Sequence, residues 1–387
     1  RGVTVEGRRL LLVEEASIAA LDAAIARMCN EGLHSFLLLA SEADHWDPAI
    51  LSGWLQSLHV PVFGGIFPGL VRGAQSLRHG TLIMGFPQRL EIVVVRHLSD
   101  RPAVEPQLLA SAALLEGAPS LMVLFDGLCP HLEAFVESLY AIVGGHAVVV
   151  GGGAGHGDLV QRPCLLGNAG MLEDSALLVA MPGVVAHGVA HGWQRLSGPF
   201  LVTRSQGNVL AELNYQPAFE VYRREVEKHC GETFADTDFF ATAKTFPLAI
   251  EGVDGDFLVR DPIKRDGAAL ICVGELPQNA TVFLLKGEAS TLIASAGEAA
   301  LAACRESRQH GHAADAGVAV VFDCISRALF LGAAINDELA VIESALAGCE
   351  EIFGALSLGE IASSRAGVIE LMNKSTVVAL LGRSPRP

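Results

Sequence analysis

No apolar run in this chain is long enough to form a membrane-crossing rod. A spanning helix needs about 18–20 consecutive apolar residues, and the best candidates break early. Residues 147–150 run straight into Gly151-Gly152-Gly153, and residues 176–190 contain Pro182, Gly183, His187 and Gly188. Yet the composition is 51% hydrophobic with a mean hydropathy of +0.40. That apolar content must therefore go into many short strands and helices: large buried sheets, and an apolar pocket or an oligomer interface, with a homodimer among the expected states. A length of 387 residues suffices for two or three domains with their own cores.

The most informative segment is 184–192. Val184 and Val185 are β-branched, and Pro182-Gly183 and Gly192 bracket the run, which predicts a strand. Alternation puts His187, Val189 and His191 on one face and Gly188, Ala190 and Gly192 on the other. Two imidazoles on one face serve a metal or a bound ligand, or else are hydrogen-bonded packing residues between layers. The nearly bare opposite face lets another layer, or a flat ligand, approach the backbone.

In chain order, apolar runs at 10–13, 36–39 and 60–63, with helical patterns at 18–29 and 48–58 between them, predict a β-α-β-α-β crossover start with largely parallel strands. Residues 64–69 (Gly-Gly-Ile-Phe-Pro-Gly) read as a turn, a ligand-facing loop or a plain reversal. Runs at 82–85 and 90–97 read as paired strands, 106–115 as a helix, and 121–125 as a strand leading through Cys129-Pro130 into a helix over 131–143. The strand 147–150 then enters a glycine-rich turn at 151–158 that carries His156 and Asp158. This turn matches neither phosphate-binding fingerprint, so glycine there more simply permits positive φ or close packing.

Several β-like segments follow to residue 213, with a hairpin turn at Gln206-Gly207-Asn208. Pro217 opens a helix over 218–229, and antiparallel strands at 245–250, 257–259, 269–272 and 281–285 come next. Helices at 291–309 and 337–347 flank a strand at 318–322, and the chain closes through 368–381. No internal repeat is legible. The expected fold class is α/β, α+β in the second half: two closely packed domains, 1–213 and 214–387, of mixed sheets covered by helices.

Charge and cysteine usage narrow the function. The net charge is −16, the pI about 5.2, and no basic cluster exceeds Arg223-Arg224 or Lys264-Arg265, which argues against nucleic acid. Arg1-Gly2-Val3-Thr4 lacks both an initiating Met and the apolar core of a signal peptide, and the eight cysteines show no CxxC or zinc-type spacing. Reduced thiols and a cytoplasmic location are the expectation. GxSxG, HExxH and paired-carboxylate signatures are absent. Cys324 before Ser326-Arg327 reads as packing rather than as a nucleophile, so no catalysis is expected. Glu360 after Gly359 is either a loop charge or a contact for a ligand's cationic group.

Together these pieces resemble the FIST family, sensory domains with FIST N and FIST C halves. The resemblance rests on Gly151–Gly153, His191-Gly192-Trp193 with Leu196, and Val202-Thr203. It continues through Asn208-Val209, Glu212-Leu213, Pro217-Ala218 and Val221-Tyr222. In the C-terminal half it rests on Cys324 with Arg327, Phe353-Gly354, Gly359-Glu360, and Asn373 with Thr376. It implies a ligand sensor. The similar NosP-type branch implies haem b, nitric oxide sensing, and a separate partner, a histidine kinase or cyclic-di-GMP enzyme.

Haem needs an axial ligand and a flat apolar slot. The candidates are His187 and His191, then His131 and His156, with Cys129 presented at a helix N-terminus where the dipole favours thiolate. Gly152, Gly153 and Trp193 complete the expected pocket. Three function classes follow: a haem-based gas sensor, a sensor of a small organic ligand such as an amino acid, and a protein-recruiting adaptor.

Overall fold

A computed structural model describes residues 4–5, 7–231, 233–234, 239–252, 255–310 and 317–381. Among these the strands form four sheets. Three of them repeat one plan. In each, a first strand (Arg8–Val13, Ile92–Arg96 or Val185–Ala190) begins a unit. Helix then leads to a central pair of parallel strands. These pairs are Ser35–Ser41 with Val62–Phe67, Ser120–Asp126 with Val148–Ala154, and Val318–Cys324 with Glu351–Ser357. A two-strand hairpin follows, and a last antiparallel strand (Thr81–Phe86, Ser175–Met181 or Thr376–Leu381) returns beside the first strand of the pair.

The hairpins do not stay at home. Gly69–Arg72 with Gln75–Leu77, from the first unit, extends the third unit's sheet, and Leu165–Gly167 with Gly170–Leu172, from the second, extends the first's. Glu360–Ser363 with Ile369–Met372, from the third, extends the second's. Three repeats, invisible in the residue pattern, thus exchange hairpins in a ring.

Glycine placement confirms the equivalence of the units. Gly64 pairs with Leu38, Gly151 with Val123 and Gly354 with Val321, at matching rungs of the three parallel ladders. At each, a Cβ would fall 1.9, 1.8 and 1.8 Å from the partner's carbonyl oxygen, so only glycine fits. The expected turns at 64–69 and 151–158 are corrected accordingly: Gly64-Gly65 and Gly151-Gly152-Gly153 lie inside strands, because the neighbouring backbone occupies the side-chain position. Two further expectations change. Strand Arg8–Val13 is separated from Ser35–Ser41 by the antiparallel Thr81–Phe86, so the start is mixed, not largely parallel. Thr81–Phe86 and Ile92–Arg96 belong to different sheets and do not pair.

The inner faces of the three sheets share one core, with Phe63, Phe67, Met122, Val150, Phe322 and Phe353 among its members. Helices cover each outer face: Ile18–Asn30 and Pro48–Ser57 on the first, Leu132–Val143 and its neighbours on the second, Ala289–Gln309 and Ile335–Ala345 on the third. The expected helix at 106–115 divides into Arg101–Ala110 and Ala112–Gly117.

The fourth sheet, with helix Ala218–Cys230, has its own core around Phe219, Tyr222 and Phe234. It is inserted in the third unit, between Val185–Ala190 and helix Ala289–Gln309. Its strands pair antiparallel, as the sequence suggests for this region. The fold is α/β, with mixed sheets covered by helices in two closely packed parts. Three of the four sheets take strands from both sides of residue 214.

Candidate functional site

The strand Val185–Ala190 is the outermost of its sheet, antiparallel to Thr376–Leu381. Its glycine face lies against the helix Ala289–Gln309. The backbone around Ala299 and Leu292 fills the space that side chains on Gly188 and Gly192 would need. The bare face thus admits a helix backbone, not a flat ligand. On the other side, His187 and His191 line a cleft of about 790 Å³. The cleft also takes in Asp256 to Val259 of the inserted sheet, Ala302, Arg305 and Glu306 of the helix, and Ala362 to Arg365 with Met372, Asn373 and Ser375 around the exchanged hairpin. It stands where the third unit, the second sheet and the insertion meet.

The two imidazoles have different jobs. His187 Nε2 lies 2.6 Å from the Ser363 carbonyl oxygen, and Nδ1 lies 3.1 Å from Glu306 Oε2. The Glu306 carboxylate also accepts the His187 backbone N–H. Burial opposes charge on this ring, but the Glu306 carboxylate outweighs it and the pKa is raised above the usual value. His187 clamps three elements together. At His191, Nδ1 accepts the Trp193 backbone N–H at 3.0 Å. Burial, reinforced by the Arg327 charge, lowers its pKa to about 4. The ring is neutral with its proton on Nε2, so it offers the cleft a hydrogen-bond donor.

Behind the cleft lies a buried polar knot. Arg327, fully buried, has Nε 3.1 Å from Glu338 Oε1 and 3.2 Å from Asp323 Oδ1, and it donates to the carbonyls of His191, Leu292 and Lys374. Trp193 is also buried. Its indole N–H donates to the Lys374 carbonyl, while the Lys374 ammonium sits 4.6 Å from the ring centroid and 3.1 Å from Asp261 Oδ2. These residues tie the insertion to the repeated core. Trp193 belongs to this knot and does not line the cleft.

The other sequence candidates lie elsewhere. Gly152 packs against Phe322 and Ser357, and Gly153 against the Leu358 carbonyl. His156 follows the strand Val148–Ala154, its Nδ1 buried without a partner and its pKa lowered chiefly by burial. His131 is the N-cap of Leu132–Val143, with Nδ1 3.2 Å from Glu275. The thiolate expectation at Cys129 is corrected: its thiol donates to Asp174 Oδ1 at 2.8 Å, and burial together with that carboxylate pushes its pKa far up. Among the described residues, no three His, Cys, Asp or Glu side chains are arranged to hold a metal ion.

Family models match most of the chain: a FIST N domain over residues 35–216 and a FIST C domain over 218–363. The chain belongs to the FIST family. No curated protein matches it. FIST domains are sensory domains that bind small ligands in signalling. In this FIST chain the residues of the His-Gly-Trp segment divide, His191 and Gly192 at the cleft and Trp193 in the knot beneath it. Among the described residues, no helix is long and apolar enough to cross a membrane.

Haem fits the cleft poorly. An iron ligand needs a free imidazole lone pair, its orientation normally fixed by an Nδ1–H donated elsewhere. His187 has both ring nitrogens engaged, and His191 accepts at Nδ1. Asn373, Ser375 and Ser363 at the cleft, which sequence reasoning missed as pocket residues, supply polar groups suited to an organic ligand. The signal for Asn373 and Ser375 is the run Asn373-Lys374-Ser375-Thr376, a polar break between apolar strands.

Proposed function

We propose that this FIST protein senses a small, polar organic ligand held in the cleft, without iron, and passes occupancy to a signalling partner. The observation that carries this is the His191 tautomer: a neutral ring whose Nδ1 is committed to Trp193 N–H presents a donor, the tool for an oxygen-bearing ligand. The mixed lining supports it, with Arg305, Glu306 and Asp256 beside Phe257, Leu258 and Met372.

The cleft also suits signalling, because a ligand there touches the helix Ala289–Gln309, the insertion and the exchanged hairpin at once. Its occupancy biases how these parts pack, and a histidine kinase or cyclic-di-GMP enzyme would read that packing. Catalysis is not part of the proposal: Cys324 is buried, and burial raises its thiol far above the range of a reactive thiolate.

A metabolite panel should raise the melting temperature of the wild type, since a ligand binding only the folded state stabilises it. His191→Phe should remove the shift. If no compound shifts the wild type, the ligand-site assignment fails. Haem binding with nitric oxide sensing remains the second reading, favoured by the size of the cleft. It requires the His191 ring to turn and release Trp193 N–H. A saturable Soret band at one haem per chain, lost in His191→Ala, would establish it.

A further inference from the structure

Glu360 is a charge that the fold does not require. In its ladder it stands opposite Gly152. The matching rungs of the other two sheets place Leu165 opposite Gly65 and Leu70 opposite Ala355. Two units therefore fill this buried rung with leucine, and the third fills it with a carboxylate that is 0% exposed.

The groups around Glu360 leave its charge without a counter-ion. Its oxygens accept from Ser357 Oγ at 2.7 Å, Ser375 Oγ at 2.7 Å and the Ser375 N–H at 3.3 Å, all neutral donors. The Cys324 thiol, at the end of the neighbouring central strand, is a further neutral donor. Asp323, beside Cys324, is paired with Arg327 and Thr376. The Lys374 ammonium turns away to Asp261 and the Lys244 carbonyl. His191, at the cleft, is neutral. Burying a carboxylate without a cation is unfavourable, so this position answers to something other than packing. Ser375 supplies the link. It is a lining residue of the cleft and its hydroxyl donates to Glu360, so the carboxylate stands one residue behind the cleft surface.

We propose that the cleft binds its ligand through a protonated amino group seated on Ser375, with the Glu360 carboxylate behind it as counter-charge. This rests on the reading of the cleft as the ligand site. The ligand's apolar portion then lies along Phe257, Leu258 and Met372, and an oxygen acceptor meets His191 Nε2–H. Primary amines and free amino acids are the class that fits. Binding is also linked to protons. Burial raises the Glu360 pKa to about 7 against the pull of the serine donors. An ammonium beside it favours the ionised form, so affinity rises as pH rises through neutrality.

The test uses the full chain and three compound sets: proteinogenic amino acids, their decarboxylated amines, and their N-acetylated forms. Melting temperatures identify binders, and titrations at about pH 6 and about pH 8 give their affinities. The expected result is stabilisation by a free amino acid or amine, none by its N-acetylated counterpart, and a several-fold tighter Kd at the higher pH. Glu360→Gln should flatten the pH dependence and weaken binding. Glu360→Leu, the residue of the other two units, should fold and lose binding. Equal binding of the N-acetylated forms, or an unchanged pH dependence in a cooperatively melting Glu360→Gln, overturns the amine assignment while leaving the cleft as a ligand site. No shift with any compound overturns both.

Discussion

Gly188 and Ala299 meet backbone to backbone: a Cβ on Gly188 would lie 2.0 Å from the Ala299 carbonyl oxygen. The contact seats the helix Ala289–Gln309 on the strand that carries His187 and leads to His191. Gly188→Ala should therefore push the helix off the strand and destabilise the protein by about 1–3 kcal/mol or more. Urea denaturation measures this, and a change within about 0.5 kcal/mol would show that the helix can shift freely. Gly207→Ala, in a turn where no atom lies within reach of the new Cβ but φ is +56°, controls for backbone strain alone.

The Arg327 knot predicts a sharp asymmetry. Removing one partner of a buried ion pair leaves the other charge stranded, typically at about 3–5 kcal/mol. Arg327→Met should lose that much, because Asp323 and Glu338 would remain buried beside each other. Converting Glu338 to Gln in the same chain should recover part of the loss, a coupling that a double-mutant cycle by chemical denaturation would read.

How much of this was legible beforehand differs by residue. The period of two separates His187 and Val189 from Gly188 and Ala190 as expected, but the strand expected over 184–192 ends at Ala190, and His191 and Gly192 lie beyond it, where Gly192 takes φ +75°. Helices such as Ala218–Cys230 and Leu132–Val143 lie within a residue of their expected ends, because amphipathic spacing is local information. Gly64 and Gly151 were misread as turn residues. Glycine marks a close approach as readily as a reversal, and only the partner strand's carbonyl tells the two apart. The exchanged hairpins left no trace in periodicity, since pairing between distant segments is set by global packing. Glu360 gave only an ambiguous signal: the comparison with Leu70 and Leu165 exists only once the three sheets are superposed.

The His187–Glu306 pair gives a pH signature. His187 is raised above its ordinary 6.5, so its contribution is complete below about that pH and fades as pH rises through the folded value. For Glu306, burial pushes upward but the His187 contacts prevail, leaving it below 4.5; its share is complete above about that pH and fades as pH falls through the folded value. The deficit of His187→Gln, about 1–2 kcal/mol, should be largest between these limits and shrink toward alkaline pH. A deficit that grows above pH 7 would contradict the pairing. Guanidine titrations across the range provide the measurement.

Glu360 predicts a dependence with a different origin. Its folded pKa of about 7 exceeds the ordinary 4.5, so the wild type loses stability as pH rises between these values. Glu360→Leu lacks this loss and should exceed the wild type above about pH 7, by on the order of 2–3 kcal/mol. Parallel stability curves for the two proteins would mean that the carboxylate is compensated in the fold.

The ring of exchanged hairpins has a consequence for how the molecule is made. Each unit's sheet is finished by a segment that a different unit supplies, and the circle closes only when Glu360–Ser363 and Ile369–Met372 join strands laid down more than 200 residues earlier. During synthesis the first sheet is finished by the second unit's hairpin, but the second sheet stays short of a partner until the end of the chain emerges, and its open edge is the surface where association between chains begins. Contacts this distant in sequence make folding slow. The segment that completes the interlock is also the one that forms a wall of the cleft, so no partly folded form offers the ligand its site.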